Sequence, residues 1–148
     1  MGKRFEDMNL GDKFLTPGRT ITDAAISTIM GYAGYCAPFM IDEEYAKGTI
    51  FGGRIAPGRL TLLMMGGLVE MSGLLDMEGT IALVGMNNIR IRSPLRAGDT
   101  IRVEIEVIQK RVTSNPEQGI IVHKEVCKNQ REQIVAEAEV SHMMKVRV

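Results

Sequence analysis

The run from Leu60 to Leu75, LTLLMMGGLVEMSGLL, restricts the fold of this chain more than any other feature of its sequence. It contains a single charged residue, Glu70, and it follows the Gly-rich segment FGGRIA and Pro57. Proline is favoured at the first position of a helix, so a helix is expected to begin at Pro57. Because a helix that is apolar on nearly all sides must be buried on most of them, the sequence predicts one central, buried helix.

The small and flexible residues inside this run add two expectations. A glycine inside a helix costs about 1 kcal/mol relative to alanine, so several of them indicate that another backbone passes close by. Methionines in such a run usually fill gaps in a buried core. The glycines are Gly66, Gly67 and Gly73, and the methionines are Met64, Met65 and Met71.

The second half of the chain alternates apolar and polar residues with a period of two, the pattern of half-buried strands. The four predicted strands run through residues 81–91, 101–107, 120–128 and 134–140. Four consecutive strands with short connections predict an antiparallel meander, and such a sheet can curl around the helix that precedes it. The expected fold class is α+β, with a long antiparallel sheet around a central helix.

Shorter elements are predicted before the central helix. An extended piece over residues 13–19 is broken by a Pro-Gly pair. Thr22 is expected to cap a helix that ends near Gly34. Asp42 is expected to begin a second, short helix that is over by Gly48, since acidic residues follow it at the positive end of the helix dipole.

Composition excludes several classes of protein. A length of 148 residues with 45% hydrophobic content predicts one domain, residues 1–148. Eighteen basic and 18 acidic residues give a net charge of zero, so nucleic acid and anionic lipid are not expected partners. No stretch reaches the ~20 apolar residues of a membrane span, and the N-terminal segment has no secretory pattern.

Histidine and cysteine are scarce in this chain. The two cysteines, Cys36 and Cys127, and the two histidines, His123 and His142, fit no zinc pattern. We therefore expect no metal and a reduced, cytoplasmic protein. Alternation puts His123 on the strand face of Glu125 and Cys127, and a lone histidine on a strand is usually structural.

Two segments carry a resemblance to a known family. IDEEYAKGTIFGGRIAPGRLTL, followed later by SPLRAGDTIRVEIEVIQKR, resembles the MaoC-like dehydratases, hotdog proteins that include the (R)-specific enoyl-CoA hydratases. The resemblance runs from about Leu10 to the C-terminus and implies the hotdog fold in a homodimer or higher homo-oligomer. It also implies a hydro-lyase of fatty acid metabolism that acts on an acyl-CoA, with no cofactor beyond the CoA of the substrate.

The catalytic motif of that family is altered in this chain. The hydratases carry D-x-N-P-x-H on a loop, and the corresponding segment here is GYCAPFMID. Tyr35 stands at the Asp position, Ala37 at the Asn position and Met40 at the His position, while Pro38 matches. Gly58 corresponds to the glycine whose N–H polarises the thioester carbonyl, at a helix end that favours negative charge. The sequence therefore keeps the oxyanion donor and lacks the acid/base pair.

The resemblance also implies a set of substrate-binding positions. Two arginines there are candidates for the CoA phosphates. The positions are Phe39, Phe51, Gly52, Arg54, Arg59 and Gly66.

Two alternatives remain open. A hotdog thioesterase would use Glu70, although twelve residues of helix put it about 18 Å from Gly58. A non-catalytic subunit would pair with an active paralogue that supplies the missing motif.

Overall fold

The computed structural model describes residues 2–147, which form one layer of helices against one antiparallel sheet. The helices are α1 (Asp23–Ala33), α2 (Pro38–Ile41), α3 (Glu43–Lys47) and α4 (Gly58–Met71). The strands are β1 (Lys13–Leu15), β2 (Arg19–Thr20), β3 (Thr80–Ile91), β4 (Thr100–Val112), β5 (Gln118–Lys128) and β6 (Ile134–Lys145).

The strand order corrects the predicted meander. The six-stranded sheet has the order β1-β4-β5-β6-β3, with β2 also paired to β4. Only β4, β5 and β6 form a meander, because β3 pairs antiparallel with β6 and not with β4. The segment between β3 and β4 therefore crosses the sheet instead of closing a hairpin. Its Leu95 is buried in the core, and the Leu95 carbonyl accepts a hydrogen bond from the Ala56 N–H.

Helix α4 packs one face onto the sheet and leaves the other exposed. Its buried residues are Leu60, Thr61, Met65, Leu68 and Val69. The expectation that α4 is buried on most sides is wrong within residues 2–147, since Leu63 is 58% exposed and Met71 is also exposed. An apolar residue on such a face needs a cover that this one chain does not provide.

The glycine expectation for α4 is also wrong among the described residues. A Cβ placed at Gly66 or Gly67 would meet no atom within 4 Å, so no backbone passes close to either. Gly73 has a different role, because its φ of 75° is left-handed and lies just past the end of the helix.

Local capping predictions are confirmed. The Thr22 side chain accepts a hydrogen bond from the Ala25 N–H, and the Asp42 side chain accepts one from the Tyr45 N–H. Gly34 ends α1 in the left-handed region with φ 77°. Helix α2 was not predicted, and Pro57 is the cap of α4 where it was expected as the first helical residue.

Strand β3 is an edge of the sheet. Along the described chain it pairs with β6 on one side only. It exposes large apolar side chains, among them Ile81, Leu83 and Val84. In the same part of the chain no helix is long and apolar enough to cross a membrane.

Candidate functional site

The loop after α1 carries the two positions that correspond to the acid/base pair. Because Gly34 turns the chain at the end of α1, Tyr35 starts the loop, and its N–H donates to the Met30 carbonyl at 3.0 Å. Pro38 begins α2, on which Met40 lies. The side chains of Tyr35 and Met40 are both half-buried and pack against the hydrophobic core.

The loop is joined to the segment ahead of α4 by aromatic and backbone contacts. The rings of Phe39 and Phe51 lie 5.8 Å apart at a tilt of 40°. The Ile55 N–H donates to the Phe39 carbonyl at 3.4 Å. Gly52, with φ 66°, makes the turn that only glycine adopts easily. These contacts keep the loop beside the start of α4.

Arg54 is engaged with acidic neighbours. Its Nε lies 3.1 Å from a Glu43 oxygen, and its Nη2 lies 3.3 Å from an Asp23 oxygen. The Arg54 backbone N–H and guanidinium both donate to Glu43, which lowers the pKa of that carboxyl. Within residues 2–147, Arg59 forms no ion pair and is exposed. Of the two arginines, Arg59 is the one whose charge is not already paired.

A small cavity of about 280 Å³ lies at this loop. It brings together three of the predicted site residues, Met40, Gly52 and Arg54. Tyr35 and Gly58 are not among its lining residues.

Gly58 begins α4 beside the end of β3. A Cβ at Gly58 would lie 3.3 Å from the Ile91 side chain, so glycine is the residue that this close packing accommodates. No described residue accepts a hydrogen bond from the Gly58 N–H, as is usual for the first turn of a helix. Gly58 thus offers an unused donor at the positive end of α4.

A larger cavity, of about 630 Å³, lies between α4, β3 and β6. On α4 it is bordered by residues from Leu62 to Glu70, so its lining on this helix begins about one turn after Gly58, which is not itself among the lining residues. Most of the remaining lining is apolar. It includes Leu63, Val69, Leu83, Met86 and Val140.

Polar side chains interrupt this apolar lining on the sheet. Glu125 of β5 and His142 of β6 both border the cavity. Behind them lies His123, whose Nε2 is 2.9 Å from a Glu125 oxygen. The His123 and His142 rings stack at 5.3 Å with an angle of 5° between their planes. The two histidines, of which His123 is fully buried and His142 half-buried, therefore belong to one cluster, and the expectation that each is a lone strand histidine is wrong.

Burial shifts the pKa of His142 and of the nearby Cys127. Removal from water, with a contribution from His123, lowers the pKa of His142 to about 4. Burial, with a contribution from Glu125, raises the pKa of the nearby Cys127 thiol to about 12. At neutral pH, His142 is uncharged and Cys127 is an unreactive thiol. No three described His, Cys, Asp or Glu side chains are grouped so as to hold a metal ion.

The sequence contained the signal for this cluster, although single-strand reasoning missed it. Alternation already put His123 and Glu125 on one face. In addition, β5 and β6 pair with Ile121 opposite His142 and His123 opposite Val140. This register makes the two histidines diagonal neighbours on the buried face. A test of polar residues across adjacent predicted strands would have found them.

Comparison with known families places most of the chain in one of them. Residues 7–142 match the family model described as a MaoC like domain. Over 110 residues the chain is 34% identical to Protein MaoC of Klebsiella aerogenes, a match covering 74% of this chain and 32% of that protein.

Two enzymes are also similar in sequence. The chain is 37% identical over 109 residues to the 3-hydroxyacyl-(acyl-carrier-protein) dehydratase FabZ of Caulobacter vibrioides, covering 70% of this chain and 64% of that protein. It is 26% identical over 103 residues to an (R)-specific enoyl-CoA hydratase of Rhodospirillum rubrum, covering 70% and 68%. The chain thus spans about a third of the Klebsiella protein and just under two thirds of the Caulobacter dehydratase.

Solved structures agree over nearly the whole chain. A monoamine oxidase regulatory protein from Archaeoglobus superposes with a TM-score of 0.91 at 32% identity, covering 99% of this chain and 97% of that one. A MaoC-like dehydratase from Rhodospirillum rubrum gives 0.88 at 30% identity, covering 99% of both. A Mycobacterium tuberculosis protein with a double hotdog fold gives 0.84 at 19% identity, covering 99% of this chain and 45% of that one.

Proposed function

This chain belongs to the MaoC-like dehydratase family and has the hotdog fold, and from that premise we propose that it binds an acyl-CoA thioester without hydrating it. The observation that carries the proposal is the position of the large cavity beside α4. The Gly58 N–H has no acceptor among the described residues at the start of this helix, and the cavity of about 630 Å³ borders the helix from Leu62 onwards. A thioester carbonyl at Gly58 would receive a hydrogen bond where negative charge is favoured. The acyl chain would then extend towards the apolar cavity.

The residues at positions 35 and 40 support the loss of turnover. Enoyl hydration needs a proton donor and acceptor beside the reacting carbons, and one positioned group of that kind contributes about 10² to 10⁴ in rate. The Met40 thioether exchanges no proton, and Tyr35 offers a phenol where the family motif has a carboxylate. Both side chains also pack against the core. We therefore expect this chain to bind a thioester and not to catalyse its hydration.

The assembly we propose is a homodimer formed through β3. An unpaired edge strand offers a row of N–H and C=O groups to a second strand. Exposed Leu83 of β3 and exposed Leu63 of α4 border the same cavity of about 630 Å³. A second copy would cover both surfaces at once. If native mass spectrometry instead shows a different chain carrying D-x-N-P-x-H, the non-catalytic subunit interpretation replaces the homodimer.

We also propose a cytoplasmic location and a role in fatty acid metabolism. The thiols of Cys36 and Cys127 are both free, as is usual in a reducing compartment.

Calorimetric titration with acyl-CoA and a crotonyl-CoA absorbance assay test this proposal together. We expect saturable acyl-CoA binding and no hydration above background. Hydration at ordinary hydratase rates would overturn the claim that the missing pair is needed, and an absence of binding to any acyl-CoA would overturn the proposal itself.

Restoring the family motif tests whether the missing acid/base pair is the reason for the absence of hydration. The triple variant Tyr35→Asp, Ala37→Asn, Met40→His should gain hydratase activity of about 10²-fold or more over the wild type. A matched control makes the same types of change outside the motif, as Tyr32→Asp with Ile41→His. These two side chains are 93% and 56% exposed, and their variant should gain nothing.

A thioesterase remains a second candidate because of one observation. Glu70 borders the large cavity from α4, and Glu125 and His142 border it from the sheet. A carboxylate there can activate water for attack on a thioester. Release of free thiol from an acyl-CoA panel, abolished by Glu70→Gln and retained by the exposed control Glu78→Gln, would favour hydrolysis. Absence of thiol release across the panel would remove this candidate.

A further inference from the structure

The large cavity has a polar inner wall that a plain hydrocarbon chain cannot satisfy. Glu125 is 3% exposed and His123 is 0% exposed. Glu125 receives one hydrogen bond from within the described chain, that of His123 Nε2, although a carboxylate can accept several. The Nδ1 atoms of His123 and His142 are both buried without a partner among residues 2–147. Buried polar atoms are rarely left in this state.

One of the two histidines with an unpartnered atom, His142, lies where a ligand would touch it. Glu125 also borders the cavity from the sheet, and Glu70 borders it from α4. A carboxylate only accepts hydrogen bonds, and a neutral imidazole accepts one at its unprotonated nitrogen. His142 is held neutral by its burial. The cavity wall is therefore rich in acceptors, and two carboxylates disfavour an anionic ligand.

The position of this wall sets the part of the ligand that it contacts. Gly66 lies eight residues after Gly58 on α4, which corresponds to about 12 Å along the helix axis. If the thioester is held at Gly58, this part of the cavity lies beyond the reacting carbons, towards the distal end of a medium-length acyl chain. A second copy paired at β3 would cover the open side of the cavity, and the exclusion of water strengthens such contacts.

We propose that the Glu125–His123–His142 cluster selects an acyl chain that carries a hydrogen-bond donor, a hydroxyl or an ammonium group, near its distal end. The inference rests on the proposed function and narrows its ligand class. A donor on the ligand pairs with the acceptors of the wall, whereas a plain alkyl chain leaves them buried under hydrocarbon. Sites built to hydrogen-bond a ligand group discriminate strongly against the analogue that lacks it.

Isothermal titration with three matched ligands tests the selection. The ligands are octanoyl-CoA, ω-hydroxyoctanoyl-CoA and ω-aminooctanoyl-CoA. We expect at least one donor-bearing ligand to bind the wild type roughly ten to a hundred times more tightly than octanoyl-CoA. The ratio of the hydroxyl and amino ligands shows whether the donor is neutral or cationic.

A substitution that removes the acceptor should reverse the preference. In Glu125→Met the new side chain has a similar length and no charge. Octanoyl-CoA should therefore bind this variant about tenfold more tightly than the wild type. The two donor-bearing ligands should bind it more weakly than they bind the wild type. A gain of affinity cannot come from misfolding. His142→Leu should change the preference in the same direction. The control Glu139→Gln changes a carboxylate on the opposite face of β6, bonded to Asn88, and should keep the wild-type ratios.

The possible failures are distinguishable. Equal affinity of the wild type for all three ligands, or ratios unchanged in both Glu125→Met and His142→Leu, would overturn the selection and leave acyl-CoA binding intact. If none of the three binds, the proposed function fails and the selection fails with it.

Discussion

Lowering the pH from 7 to about 5 is expected to destabilise this protein through His142. Burial beside β5, with the stacked His123 ring 5.3 Å away, lowers the pKa of His142 from 6.5 to about 4. Glu125 of β5 and Glu70 of α4 border the same cavity. Burial is the larger cause of the lowered pKa of His142, and His123 adds to it.

The direction of this change in stability follows from the protons that His142 binds in the unfolded and the folded chain. In the unfolded chain the histidine takes up a proton near pH 6.5, and in the folded chain it does so only near pH 4. Between these values the unfolded state binds more protons, so stability decreases as the pH falls. The full pKa difference between the two states corresponds to about 3 kcal/mol in the free energy of unfolding. About 2 kcal/mol of this stability is lost when the pH falls from 7 to 5.

Urea unfolding at one protein concentration, at pH 7 and at about pH 5, measures this loss. His142→Gln has no titrating ring, so its free energy of unfolding should fall by about 2 kcal/mol less than that of the wild type over the same interval. Ser141→Ala, on the neighbouring residue of β6, should keep the wild-type dependence. If the wild type and His142→Gln lose the same free energy, the account of His142 as a buried neutral ring is refuted.

Four further outcomes are expected. Thr22→Ala should lower the free energy of unfolding by about 1 kcal/mol in urea titration, because it removes the side-chain acceptor that caps α1. Leu68→Ala should cost about 2 to 5 kcal/mol, since Leu68 is 1% exposed. Leu63→Ala should cost the isolated chain little and weaken self-association in analytical ultracentrifugation. In alkylation followed by mass spectrometry, Cys36 should react in the native protein and Cys127 only after unfolding, because burial raises the pKa of the Cys127 thiol to about 12.

The features that local chemistry determines could be predicted from the sequence. Thr22 and Asp42 cap helices because a short polar side chain before a helical run accepts a backbone N–H two or three residues ahead. The alternation in β4 and β5 similarly predicts which side chains are buried. At the start of β6 it does not, since Ile134 is exposed and Val135 is buried. Neither kind of prediction requires knowledge of what lies elsewhere in the chain.

The strand order and the environment of α4 depend on distant contacts. The segment after Ile91 contains turn residues and was expected to connect neighbouring strands, but it carries Leu95 into the core on its way across the sheet. The apolar run of α4 predicted burial on most sides, and one chain covers only one side. The apolar content was informative in both cases. It specified that a surface must be covered, and it did not specify by which segment or by which molecule.

The candidate site also has one part that is local in sequence and one part that depends on distant contacts. A comparison of the loop with the family motif found Tyr35 and Met40 at once, because a motif is a local pattern. The Glu125–His123–His142 cluster could not be predicted in this way, because it depends on the register of two strands, which no single segment contains.

The loop and the cluster are related through their positions along α4. The loop lies beside the start of this helix, and it carries a phenol and a thioether where the family motif has a carboxylate and an imidazole. The acceptors of the cavity wall lie farther along the helix. Under the proposed function, a ligand would therefore be recognised by hydrogen bonds at its distal end and left unreacted at the other.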